Sequence, residues 1–126
     1  MARYVTAWDY AERLEAAAKG LVRGETPLKV RELFCRPTLL VIDELHRVPQ
    51  SYGDHNTQAL RQLVLTRWDR RLQTVLISND EADAFVERVG HSIVSRMNQS
   101  GRACEFRYQD LRPRISPQFA FDGFVK

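Results

Sequence analysis

Leu39-Leu40-Val41-Ile42-Asp43-Glu44 is the stretch that decides how this chain folds. Its four aliphatic residues are continuous rather than alternating. That pattern predicts a strand buried on both faces of a parallel sheet. Pro37 and Thr38 lead into it, and it ends in two adjacent carboxylates. In parallel α/β sheets ligands gather at the carboxyl ends of the strands. An Asp delivered there can hold Mg²⁺, directly or through water. The next residue, Glu44, leaves the strand and can polarise a water for attack on a γ-phosphate.

Working outward, a second strand of the same type runs over Gln73-Thr74-Val75-Leu76-Ile77-Ser78 and delivers Asn79. Asn79 can donate to a phosphate oxygen or orient the attacking water. Ser78-Asn79-Asp80 is also ordinary turn and N-cap chemistry. Between the two strands lie a polar loop, Pro49 to Asp54, and a helix from about His55 to Arg71. Leu60, Leu63, Val64 and Trp68 fall at helical spacing and predict its inner stripe. Arg61, Arg70 and Arg71 fall on the outer side. With one helix between them, the two strand ends can be neighbours.

On the N-terminal side, Arg3 to Thr6 reads as a short strand and Thr6-Ala7-Trp8-Asp9 as a capping box. A helix follows from Ala7 to about Lys19, stopped by Gly20. After a break over Gly24 to Pro27 comes a short helix, Leu28 to Phe34. On the C-terminal side, Ala82 to Arg88 and Ser92 to Asn98 read as short helices. Ala103 to Tyr108 reads as a last strand. Residues 115–126, with Phe119, Phe121 and Phe124, read as an irregular tail. Strands alternating with helices predict an α/β fold with a mainly parallel sheet of about four strands.

The chain has 126 residues, 44% hydrophobic and 28% charged, the profile of one globular domain rather than a disordered chain. No apolar run reaches the length of a membrane span, and the N-terminus lacks the apolar stretch of a secretion signal. Cys35 and Cys104 make neither a disulfide framework nor a zinc site, so a cytoplasmic, reducing setting is expected. The net charge of +3 is unevenly placed: 12 basic and 12 acidic residues up to Val86, then 7 against 4. Lysine occurs only at Lys19, Lys29 and Lys126, so the excess is nearly all arginine. Such a segment suits phosphate or nucleic acid, although a codon bias towards arginine gives the same composition.

The acidic strand has the form of a Walker B motif. Leu40 to Leu45, the helix ending Arg67-Trp68-Asp69-Arg70-Arg71 and the strand Thr74 to Asn79 together resemble the AAA+ ATPases of the DnaC/IstB group. These are replicative helicase loaders and transposition helper ATPases. The likeness continues through Val89-Gly90, Ser95-Arg96-Met97 and Asp110-Leu111-Arg112, and covers about Tyr4 to Arg114. It implies a three-layer P-loop NTPase fold over 1–114, with ATP and Mg²⁺ as cofactors. Asp43 would be the magnesium residue, Glu44 the catalytic glutamate and Asn79 sensor 1. Arg96 lies in the block where the family places the arginine that reads a neighbouring subunit's nucleotide. Ser92 stands where loaders often have that arginine, which leaves Arg88 and Arg96 as candidates. The implied partners are a replicative helicase or transposase, single-stranded DNA, and further copies through the ATPase interface. Arg61, Arg70, Arg71, Arg102 and Arg107 are the candidate contacts to nucleic acid.

One departure is large. No glycine-rich Gly-Lys-Thr/Ser loop occurs in the sequence, so the backbone cradle and lysine that anchor phosphates in this family are absent. The chain reads as a domain of this type that begins one strand and one helix late, without the first strand and the Walker A loop. Inactivity of the chain alone is then expected. Three other readings compete. Asp43-Glu44-Leu45-His46 fits the Asp-Glu-x-His box of superfamily 2 helicases, but there is no room for their second motor domain. Asp43, Glu44, His46 and His55 could serve a metal hydrolase. A shortened relative could dock on a helicase or an ATPase subunit without using nucleotide.

Overall fold

The computed structural model describes residues 1–48 and 55–102. In chain order they form β1 (Ala2–Thr6), α1 (Ala7–Ala18), α2 (Pro27–Phe34), β2 (Leu39–Asp43), a 3-10 turn (Leu45–Arg47), α3 (His55–Asp69), β3 (Gln73–Leu76), α4 (Ala82–Val89) and α5 (His91–Ser100). The chain divides into two compact units, Met1–Val89 and Gly90–Lys126. The sheet belongs to the first unit, and α5 to the second. The expected loop at 49–54, the strand at 103–108, the boundary at 114 and the tail lie outside the described residues.

Local chemistry sets the helix ends. The Thr6 hydroxyl accepts the Asp9 N–H at 3.0 Å, and Thr26 accepts Lys29 N–H at 3.2 Å with Pro27 opening α2. Beyond α1, Leu21 N–H donates to Ala16 at 3.0 Å and Gly20 N–H to Ala17 at 3.1 Å. This is a Schellman close around Gly20, whose φ of +69° suits glycine. α3 ends with the same geometry around Arg71, a non-glycine residue at φ 58°. There Leu72 N–H reaches Arg67 at 2.9 Å and Arg71 N–H reaches Trp68 at 2.8 Å.

The three strands are parallel, in the order β1-β2-β3. This bears out the α/β class and the parallel sheet; three strands are described of the four expected. Val5, Leu40 and Ile42 lie on the face closed by helices. The opposite face carries the row Tyr4, Val41, Val75 set by the register. Tyr4 is 59% exposed, and Val75 and Ile77 are 43% exposed. The continuous aliphatic runs therefore do not mark strands buried on both faces. In β2 buried and half-buried residues alternate, the pattern of a strand more fully covered on one face than on the other.

The core between sheet and helices centres on Phe34. Tyr10 meets its ring edge-on at 5.1 Å, and the Arg3 guanidinium lies 4.4 Å from its centroid. Cys35 is buried and free. The inner stripe of α3 departs from its periodicity. Asn56, Leu60, Leu63 and Arg67 are buried, whereas Val64 and Trp68 are half-buried. Arg67 is completely buried. Its guanidinium donates to Phe34 O at 2.8 Å, Pro37 O at 3.0 Å, Gln73 O at 2.7 Å and the Thr74 hydroxyl at 2.9 Å. The end of α2, the entry to β2 and the start of β3 are thus tied to one cation. Among the described residues no helix is long and apolar enough to cross a membrane.

Candidate active site at the strand ends

The parallel register sets Ile42 beside Leu76, and the pairing continues past both strands. Ile77 N–H donates to Ile42 O at 2.9 Å, and Leu45 N–H donates to Ile77 O at 3.1 Å. The segments carrying Asp43-Glu44 and Ser78-Asn79 therefore leave the same edge of the sheet side by side.

Asp43 is half-buried. Its Oδ2 accepts the Tyr4 hydroxyl at 2.7 Å and its Oδ1 accepts Glu44 N–H at 2.7 Å. An ionised carboxylate has about four acceptor positions, so lone pairs remain for a hydrated divalent cation. The bond to Asp43 holds the Tyr4 phenol above its ordinary pKa, because it stabilises the protonated phenol.

Glu44 occupies the left-handed region, at φ 55° and ψ 44°. A non-glycine residue there costs about 1–3 kcal/mol, and such positions cluster at functional sites. Three backbone bonds hold it: its own N–H to Asp43, Leu45 N–H to Ile77, and Arg47 N–H to Glu44 O at 2.9 Å. The turn aims the Glu44 side chain out of the strand line, with the Arg47 guanidinium 3.6 Å away.

Asn79 is exposed, and its backbone N–H donates to His46 Nδ1 at 3.2 Å. Its neighbours bond each other: Ser78 Oγ donates to Asp80 Oδ2 at 2.6 Å, and Asp80 N–H donates back to Ser78 Oγ at 3.0 Å. Arg88 forks onto the same carboxylate at 2.7 and 3.2 Å. The Arg88 bond, with help from Ser78, holds the Asp80 carboxyl below the usual carboxylate range against the opposing effect of burial. The sequence reading missed Tyr4 and the Asp80–Arg88 pair. Tyr4 reaches Asp43 only through the β1–β2 register, and no helical spacing links residues 80 and 88.

The phosphate anchor remains without a source among the described residues. Lys19 Nζ bonds Glu15 at 2.8 Å, and Lys29 Nζ donates to Gly24 O at 3.1 Å. Thr6 caps α1, so Lys19 lies about 18 Å along that helix from the strand ends. The acid pair fits a hydrated Mg²⁺, but the described residues do not build a triphosphate cradle. No group of three or more His, Cys, Asp or Glu side chains gathers among them, so Asp43, Glu44, His46 and His55 form no multi-ligand metal centre there.

The candidate arginines divide by what they touch. Arg61 donates to the α4 carbonyls of Glu87 and Arg88 at 2.8 and 2.9 Å. Arg70 forks onto Glu32 at 2.6 and 2.8 Å. Arg71 and Arg102 are exposed. Arg96, in the second unit, donates to Ser92 O at 3.2 Å within its own helix. Arg107 lies outside the described residues.

No family model and no curated protein matches the sequence. Solved structures do. A DNA replication initiation factor aligns with 78% of this chain at 22% identity and a TM-score of 0.57, over 28% of its own length. AMPPCP-bound DnaA from Aquifex aeolicus gives the same identity and TM-score, with 29% of its chain covered. Replication initiator DnaA bound to AMPPCP and single-stranded DNA aligns at 21% identity and a TM-score of 0.55, over 77% of this chain and 28% of its own. At this identity the likeness establishes the fold alone, an α/β arrangement shared with part of each of these proteins. The chain spans less than a third of the length of these proteins.

Proposed function

We propose that this chain carries the magnesium- and water-handling part of an AAA+ ATPase site acting in DNA replication, of the DnaC helicase-loader type. Asp43 would hold the metal, Glu44 would polarise the water and Asn79 would sense the γ-phosphate, with ATP and Mg²⁺ as cofactors. The observation that carries this reading is the pairing of strand ends, which sets the acid pair beside the Asn79 segment. The strained backbone of Glu44 supports it. The AMPPCP bound to the DnaA neighbours is consistent with it. Arg96 would face a neighbouring subunit. A replicative helicase and single-stranded DNA would be the partners, with a transposase in their place for an IstB-type protein.

A second reading is favoured by the missing Gly-Lys loop. Phosphoryl transfer depends on positioning and charge neutralisation of the phosphates, so this chain alone would bind nucleotide weakly and act as a docking module. Titration of a fluorescent ATP analogue, with and without Mg²⁺, tests both. Weak, magnesium-dependent binding that Asp43→Asn abolishes supports the ATPase site. Binding indifferent to Asp43 and to magnesium overturns it. Absence of binding, together with capture of a replicative helicase, favours the docking module.

A further inference from the structure

We infer that Arg88, Asp80 and His46 are positioning residues that fix Asn79 beside the acidic strand end. The inference rests on the nucleotide reading above and deepens it. Asn79 follows β3 and precedes α4, and its side chain can act only if its backbone is held. Two independent ties hold it. On the β2 side, His46 Nδ1 accepts the Asn79 N–H at 3.2 Å, and His46 belongs to the turn that begins at Glu44. On the α4 side, Asp80 is locked by its reciprocal bonds with Ser78 and by the fork from Arg88.

The fork also decides what Arg88 does. Its side chain is 21% exposed and that of Asp80 only 10%. Turning Arg88 outward to a neighbouring subunit would leave a largely buried carboxylate without its cation, which is costly. Arg88 therefore acts within its own chain, and of the two candidates only Arg96 remains for a neighbour's nucleotide. Arg61 extends the tie, since it holds the last carbonyls of α4 from α3. A displacement of about 1 Å at a reacting geometry costs about a hundredfold in rate, so a clamp on both sides of Asn79 bears directly on the chemistry.

The test is amide hydrogen exchange, followed by NMR on the full chain without nucleotide. Arg88→Met and His46→Phe are each expected to speed exchange at Asn79 by about tenfold, while Tyr4 and Val5 in β1 stay unchanged. His46→Asn offers a side-chain oxygen near the place of Nδ1 and is expected to restore protection. Arg88→Lys keeps the charge without the fork and falls between. Unchanged exchange at Asn79, or equal acceleration at Asn79 and β1, overturns the inference. A second arm adds magnesium and a non-hydrolysable ATP analogue and follows the Asn79 side-chain amide. A shift in the wild type that shrinks at least twofold in His46→Phe supports positioning, and an equal shift in every variant overturns it. If no signal in the wild type moves, the nucleotide reading fails, while the exchange arm still decides the clamp.

Discussion

Arg67 occupies a position on α3 where the helical stripe calls for an apolar side chain, and its guanidinium meets three carbonyls and a hydroxyl. Burial pulls its pKa down, yet an arginine stays charged at any ordinary pH. The charge is tolerated because several acceptors surround it, one of them the last carbonyl of α2, where a helix favours a cation. Arg67→Met should lower stability by about 3 kcal/mol or more, read from the urea midpoint, because it leaves buried acceptors unpaired. Arg67→Lys should not rescue it, since one ammonium cannot span the fork. Periodicity found Leu60 and Leu63 but could not find Arg67, whose partners come from three other segments. Asp80 yields a pH prediction. Its folded pKa is lowered, so its stabilisation is present above the unfolded value of about 3.9 and is lost as pH falls through the folded one. The stability gap between wild type and Asp80→Asn should hold from neutral pH to about pH 5 and close in stronger acid. A gap that widens on acidification would contradict this sign.

β2 and β3 look alike in sequence and differ in what surrounds them. Ile42 is fully buried, whereas Val75 is 43% exposed on the open face. Ile42→Ala should cost about 2–5 kcal/mol, and Val75→Thr no more than about 0.5 kcal/mol. Equal losses in thermal or urea unfolding would mean that both faces of the sheet are closed. The strands themselves were legible because an aliphatic run ending in acids leaves little choice of element. The caps at Thr6 and Gly20 were legible too, since both act through bonds within a few residues, whereas the Thr26 cap lies within what reads as a break. Which face is covered was not legible, because that depends on where whole helices lie. The turn at Glu44 was equally hidden: nothing in Asp43-Glu44-Leu45 marks a left-handed residue, and the bonds that enforce it come partly from Ile77, just past β3.

Across the molecule, the excess of basic residues falls after Val86, while the first two-thirds of the chain is balanced. Placement matters more than number. Arg61 and Arg70 direct their guanidinium groups at α4 and Glu32, so they offer little to a phosphate. Arg71 and Arg102 are exposed, and Arg71 sits in a left-handed conformation where glycine would be easier. If the chain engages single-stranded DNA, the contacts should be electrostatic and tolerant of sequence. Each phosphate contact adds about −0.7 to the slope of log K against log salt. Arg71→Gln and Arg102→Gln should each weaken binding of a short oligonucleotide and flatten that slope by roughly this amount. Arg70→Gln should leave the slope unchanged, since its charge is matched by Glu32. Fluorescence anisotropy at several salt concentrations separates the two groups. Affinity that does not respond to salt, or an Arg70 variant as weak as the Arg71 variant, would show that exposure does not select the arginines that meet DNA.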